Sequence, residues 1–328
     1  MAIPETKKTM VVGVDVGGTK VAVGLVNAQG QIVATRRRPM NASGDAASGF
    51  NSVTSAIDAL FAENPGVHET IRAIGICAPG PLDPFTGVVV NPPNLKCWRN
   101  FPLGGEVSQR YGVPVRVDND GNAAALAEFL WGAGRGFKTV FYTCIGTGIG
   151  TGIIFDGRIY HGRTGAAAEG GHVSIDYRGP VCGCGKRGCI EILAAGPAIA
   201  RRAQAKLAAE PERASALREL AGNDPGAVTS EMVGKANAIG DALAKEVLLE
   251  TVELLAFWLA NVVDFLEPDV MIIGGGVASM LNPFFDVLDD RIAFHCVNSR
   301  SREIPLRPAH YGADSGIAGG AALCNDLA

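Results

Sequence analysis

Residues 10–26 read MVVGVDVGGTKVAVGLV, two valine-rich runs split by Gly17-Gly18-Thr19-Lys20. Runs of this composition on either side of a glycine turn predict an antiparallel hairpin. An acid, Asp15, stands at the end of the first strand, followed by unobstructed backbone amides and the Thr19 hydroxyl. Such a turn suits phosphate oxygens, and the acid beside it suits hydrated Mg²⁺ rather than phosphate itself. Neither G-x-x-x-x-G-K-[ST] nor G-x-G-x-x-G leads from this strand into a helix, so the P-loop and dinucleotide fingerprints are excluded.

The pattern recurs downstream. A strand at 31–36 follows the turn 27–30, and residues 139–145, the turn Gly146-Thr147-Gly148, residues 149–155 and the strand 158–160 repeat the same order. Two glycine hairpins, each leading a three-strand meander, predict an α/β protein of two similar lobes. Helices are expected at 53–62, 121–131, 197–209, 230–240 and 242–266, and strands at 71–77 and 114–117. A buried strand at 270–273 runs into Gly274-Gly275-Gly276, a third turn of nucleotide-binding composition. Residues 314–323 read as a helix despite glycine at 316, 319 and 320, each costing about 1 kcal/mol relative to alanine. Close packing by a neighbour would account for that cost. The expected division is a small lobe of residues 1–119 plus the C-terminal helix at about 312–328, and a large lobe of 120–311.

The bulk numbers narrow the function classes. The chain has 328 residues, 47% hydrophobic and 19% charged, a globular composition. Its 43 glycines are about 13%, against roughly 7% in ordinary proteins. Net charge is −4 without a long basic run, and Arg36-Arg37-Arg38 reads as a solvated strand edge, so nucleic acid is not an expected partner. The stretch 247–266 is interrupted by Glu250, Glu253 and Asp264, which makes it an amphipathic core helix rather than a membrane span. The opening MAIPETKKTM carries no apolar stretch, so no export signal is expected and the reducing cytoplasm is the expected compartment.

Five of the eight cysteines (77, 97, 144, 296 and 324) sit among apolar neighbours and read as small core residues. Cys182, Cys184 and Cys189 fall within eight residues, and nine residues separate His172 from Cys182. Three thiolates and an imidazole complete a tetrahedral Zn²⁺ site with no open position, which is a structural rather than catalytic arrangement. Glu169, three residues before His172, would share a helical face with it. Asp118-Asn119-Asp120-Gly121-Asn122 follows a strand and opens an alanine-rich helix; an N-cap alone would account for it.

Together, DVGGTK, IGTGIG, AEGGH and CGCGKRGCIE resemble the ROK family of the actin/hexokinase superfamily, over residues 10 to 324. The resemblance implies a two-lobe, actin-like and ribonuclease H-like ATPase fold with a central cleft and a zinc-bound loop. It implies ATP with Mg²⁺ as phosphoryl donor and a hexose as acceptor, commonly at O6, with glucose the first expectation. Fructose, mannose or an N-acetylated hexosamine is the alternative. Asp120 matches the family's catalytic base. Gly80, Asn94, Asn119, Glu169, His172 and Glu191 match sugar-side positions, with the acids accepting hydroxyl protons and Asn94, Asn119 and His172 donating. Asp15, Gly17, Gly18, Thr19, Lys20, Gly146, Thr147, Gly148 and Gly274 to Gly276 fall on the nucleotide side. The same zinc ligands, His172, Cys182, Cys184 and Cys189, are implied, and a homo-oligomer, most often a dimer, is expected. Ala195 stands where the family usually has serine, and Gly121 where alanine is commoner. A sugar-sensing repressor of this family would need a DNA-binding segment ahead of the first hairpin, where only about nine residues stand. The loop 79–98 is the expected determinant of hexose choice.

Overall fold

A computed structural model describes residues 9–327; residues 1–8 of the N-terminal stretch read above, and Ala328, lie outside the described residues. The strands are β1 (Met10–Val16), β2 (Lys20–Val26), β3 (Ile32–Pro39), β4 (Ile71–Ala78), β5 (Leu82–Asp83), β6 (Val88–Val89), β7 (Val115–Asn119), β8 (Thr139–Ile145), β9 (Ile149–Phe155), β10 (Arg158–Ile159), β11 (Val270–Gly274) and β12 (Leu306–Pro308). They form two five-stranded sheets, ordered β3-β2-β1-β4-β7 and β10-β9-β8-β11-β12, and the small hairpin β5-β6. Both predicted three-strand meanders are present. Among the described residues no helix is long and apolar enough to cross a membrane.

The chain divides into two compact units, residues 9–140, 152–168 and 310–327 in one and 141–151 and 169–309 in the other. The division falls within β8 and β9. It differs from the expected boundary at 119/120, because the helix Asp120–Trp131 belongs to the first unit. The cause is packing: its Ala123 lies so close to Gly319 of the helix Ser315–Ala322 that a Cβ there would stand 2.8 Å from the Ala123 carbonyl carbon.

In the first unit, β1 runs antiparallel to β2 and parallel to β4, and β4 runs parallel to β7. One face of the sheet carries Val12, Val14, Val16, Val21 and Val23, which pack with Val53, Ile57 and Leu60 of the helix Ala46–Ala62. Each such aliphatic side chain stabilises the fold by about 1.5–3 kcal/mol when fully buried. The other face is glycine-paved. Gly24, Gly13 and Gly75 stand side by side on β2, β1 and β4, and the helix Ser315–Ala322 lies directly on that row. A Cβ on Gly13 or Gly75 would overlap the carbonyl oxygen of Ile317 or Gly320, and one on Gly24 would stand 2.6 Å from Ile317 Cγ2. Reciprocally, a Cβ on Gly320 would come within 2.5 Å of the Gly75 oxygen. The helix thus carries glycines, at a propensity cost, because its backbone sits on the backbone of the sheet. Gly75→Ala is expected to cost about 1–3 kcal/mol or more as overpacking, read as a lower urea midpoint at unchanged slope; an unchanged midpoint would mean the helix can retreat.

In the second unit the helix Ala242–Leu266 is the spine, with Val247, Leu255, Trp258, Leu259 and Val263 buried. Asp241 caps it, accepting from Ala244 N at 2.8 Å and from the Ser215 hydroxyl at 2.8 Å. Helices Gly196–Ala209 and Ser230–Ala238 fall where the sequence placed them. The helices Leu103–Tyr111 and Phe285–His295 were not expected.

Candidate functional site

The first unit gathers its chemistry at the C-terminal ends of the parallel strands, where open α/β sheets bind ligands. Asp15, Cys77 and Asp118 stand in one row across β1, β4 and β7. The Cys77 thiol lies 3.7 Å from Asp15 Oδ1 and donates to the Gly316 carbonyl at 3.2 Å. Burial pushes this thiol far up, and the carboxylates of Asp15 and Asp120 push it further. Asp15 is itself raised by burial, an effect opposed by Lys20 and then by the Cys77 contact. A cation beside Asp15 would favour its ionised form.

The turn after β1 is closed by Gly17 N donating to the Lys20 carbonyl at 2.9 Å. Thr19 and Lys20 are exposed. A Cβ on Gly18 would stand 3.0 Å from the Asn94 carbonyl oxygen, so this turn and the Pro93-Asn94-Leu95 loop are neighbours. Trp98, fully buried, anchors that loop by stacking on Phe101 at 5.3 Å and donating to the Ala46 carbonyl. It is a packing residue.

Beyond β7, Asn119 is the N-cap of the helix Asp120–Trp131, and its Oδ1 accepts from Gly121 N at 2.8 Å. Asp120 Oδ1 accepts from the same amide at 2.8 Å, and Asp120 is exposed. A Cβ on Gly80 would lie 3.7 Å from Asn119 Nδ2. Gly80, Asn119 and Asp120 are therefore together. The N-cap reading holds, but its owner is Asn119, which leaves the Asp120 carboxylate facing outward. Asp118 is buried and accepts from Asn119 N at 2.7 Å and Asn122 Nδ2 at 3.0 Å, while its Oδ2 lies 2.6 Å from His161 Nε2. Nothing in the sequence around His161 marks a partner 43 positions earlier.

In the second unit the β8–β9 turn is closed by Gly146 N donating to the Gly148 carbonyl at 2.9 Å. Gly196 N donates to the Gly146 carbonyl at 2.8 Å. Glu191 belongs to this turn as much as to the sugar side: its Oε2 accepts from Ile149 N at 2.9 Å. Its Oε1 stands 3.9 Å from His172 Nδ1. Glu169 and His172 do not share an α-helical face. Residues Gly170–His172 form a 3₁₀ turn with Glu169 exposed at its N-cap. Gly170 N donates to Thr151 Oγ1 at 2.9 Å, and Gly171 has no room for a Cβ against the Ile149 carbonyl. Ala168, just before, adopts φ 64°, a strained value for a residue with a Cβ. Gly274 ends β11, and Gly275, at φ 92°, turns the chain into the helix Gly276–Leu281 so tightly that a Cβ would overlap the Ile145 carbonyl.

The ligand atoms of His172, Cys182, Cys184 and Cys189 all lie within 4.8 Å of one another. Tetrahedral Zn²⁺ with bonds of about 2.3 Å to sulfur and about 2.0 Å to nitrogen would separate sulfurs by about 3.8 Å and sulfur from nitrogen by about 3.5 Å. Cys184 and Cys189 Sγ are 3.6 Å apart, and Cys182 Sγ is 3.7 Å from His172 Nδ1. The donor set fits the ion. The hairpin holding it turns at Gly185 and Gly188, φ 89° and 62°, and Lys186 Nζ donates to the His172 carbonyl at 2.5 Å. Burial and the two neighbouring thiols push Cys189 up to about 12, so ion binding there must expel a proton.

Fold and site residues together define a sugar-kinase-like α/β protein of the actin superfamily, and the chain belongs to the ROK family, whose sequence profile matches residues 11–327. It is 33% identical over 318 residues to a glucokinase of Streptomyces coelicolor, covering 97% of this chain and 98% of that one. It is 31% identical to an N-acetylmannosamine kinase of Escherichia fergusonii, covering 94% and 96%. A ROK family glucokinase from Streptomyces griseus, solved with glucose and AMPPNP, superposes with a TM-score of 0.79 at 33% identity, over 97% of this chain and 99% of that one.

Proposed function

We propose that this chain is an ATP-dependent hexose kinase that transfers the γ-phosphoryl group of ATP to the 6-hydroxyl of glucose, with Asp120 as general base. The observation that carries this reading is the Asn119-Asp120 turn. A helix-capping amide is shared by both side chains, Asp120 is exposed, and the Asn119 side-chain amide beside it faces Gly80. A carboxylate held this way can accept the proton of an attacking hydroxyl. The similarity to glucokinases over nearly the full length of both chains supports the same reading.

Phosphoryl transfer is mostly positioning and charge stabilisation. In this reading Asp120 accepts the sugar proton, Asn119 and Asn94 donate to hydroxyls, and Glu169 and Glu191 accept from them. The amides of Gly18 and Thr19, and those of Thr147 and Gly148, receive phosphate oxygens, the Gly17 and Gly146 amides being engaged in closing the two turns, while Gly274, Gly275 and Gly276 leave room for the nucleoside. Asp15 and Lys20 face the phosphate end, where Mg²⁺ accompanies ATP. Zinc on His172, Cys182, Cys184 and Cys189 would supply a fixed anchor for the sugar-side loop rather than a reactive water.

A panel of glucose, mannose, fructose and N-acetylated hexosamines in a coupled ADP-release assay tests this. Glucose is expected to give the highest kcat/KM, because one missing or misplaced hydrogen bond at a polar site changes it by orders of magnitude. Turnover confined to N-acetylmannosamine or another N-acetylated sugar would overturn the glucose assignment, and none with any hexose would overturn the kinase.

A further inference from the structure

We infer that His161 is a positioning residue for the phosphoryl-transfer step, acting through Asp118 on the turn that carries Asp120; this rests on the kinase reading above. Asp118 is 4% exposed and makes three contacts, each with a different part of the machinery. Oδ1 accepts from the backbone N–H of Asn119 at 2.7 Å and from the Asn122 side-chain amide at 3.0 Å. The other oxygen, Oδ2, faces His161 Nε2 at 2.6 Å. An ionised carboxylate only accepts, so Nε2 carries the proton at this contact. Asn119 N and Asn122 bracket Asp120 in sequence, which means that the Asp118 carboxylate fixes the backbone just before the base and the first helical turn just after it. What holds the carboxylate itself is His161.

His161 is in turn held in place. Its ring meets Phe85 edge to face at 5.5 Å between centroids, and its carbonyl accepts from Ala167 N at 3.1 Å, which closes the 161–167 loop. Gly162 and Gly165 take φ 66° and 87° within that loop, and Gly165 packs so near Pro84 that a Cβ would come within 2.6 Å of the proline ring. Without His161 the Oδ2 oxygen of this buried carboxylate loses its partner while Oδ1 keeps two donors, and Oδ2 must find another donor or swing toward water. Either response rotates the Asn119-Asp120 peptide. A displacement of about 1 Å in a reacting group can cost about 100-fold in rate.

The prediction separates positioning from general structure. Gln places its amide nitrogen close to where His161 Nε2 lies, so His161→Gln is expected to keep kcat within about threefold of wild type. His161→Leu removes the donor and is expected to lower kcat about 10- to 100-fold, with KM for glucose and ATP within about threefold. Imidazole added to His161→Gly should restore a measurable part of the loss. Circular dichroism and a glucose-induced rise in melting temperature report whether each variant folds and binds. A folded His161→Leu enzyme with wild-type kcat, or one whose defect lies in KM alone, overturns the inference. So does failure of both the Gln variant and imidazole to restore turnover, which also decides the matter if His161→Leu does not fold. An inactive wild-type protein would instead count against the kinase reading and leave the variants uninterpreted.

Discussion

Asp120→Asn is expected to lower kcat about 10²- to 10⁴-fold while glucose still binds within a few-fold of wild-type affinity. The range is the usual contribution of a positioned acid–base group. The asymmetry between turnover and binding follows from the local geometry. Asn keeps an oxygen that can accept from Gly121 N as Asp120 Oδ1 does at 2.8 Å, and Asn119 still caps the helix through its own side chain. The turn therefore stays folded. What disappears is the capacity to take a proton from the attacking hydroxyl. Steady-state kinetics paired with calorimetric titration of glucose measures both halves. Loss of binding with unchanged turnover would remove Asp120 from the role of base.

On the proposed reading, stripping zinc from the His172, Cys182, Cys184 and Cys189 cluster should have an effect of similar weight. Backbone hydrogen bonds such as Cys182 N to the Lys186 carbonyl shape the cysteine loop, but Cys184 at its tip is exposed, the turns at Gly185 and Gly188 need left-handed backbone, and the donor set is what would tie Cys184 to His172. His172, which closes the donor set, is two residues from Gly170, whose N–H rests on Thr151, and three from Glu169. Unfastening the loop therefore releases both proposed sugar contacts together. Chelation, or Cys189→Ser, is expected to remove one zinc per chain and lower kcat/KM for glucose at least about 10- to 100-fold. Elemental analysis on the same samples ties the two losses together. Zinc removed with activity intact would mean that the cluster has no part in shaping the site.

The legible parts of this molecule were those written in short stretches. The two glycine hairpins, the buried strand into Gly274, and the cysteine cluster with its upstream histidine each sit within a few residues, and the fold reproduces them. The glycine-bearing last helix was legible as a cost without a cause. The cause is the Gly24–Gly13–Gly75 row, assembled from three strands and visible only once their register is known. What depended on distant partners was missed. The helix Leu103–Tyr111 contains Gly104 and Gly105 and no strong apolar period; tertiary burial of Leu103 and Val107 overrides its weak propensity. The 119/120 boundary failed because a strand end followed by a new helix looks like a break, whereas that helix is bound to the chain's last one nearly 200 positions away. The pairing of Asp118 with His161 needs β7 and the 161–167 loop side by side. Glu191 read as a sugar acid, yet the Ile149 amide that fixes it lies 42 positions back.

The most direct measurement is phosphorus NMR of the purified chain incubated with glucose, ATP and Mg²⁺. The expected result is stoichiometric ADP and a new monoester signal assigned by proton coupling to carbon 6 of glucose, both absent when glucose is omitted. ATP left intact, or phosphate released only as the free inorganic ion, would contradict the assignment of this ROK chain as a glucose kinase.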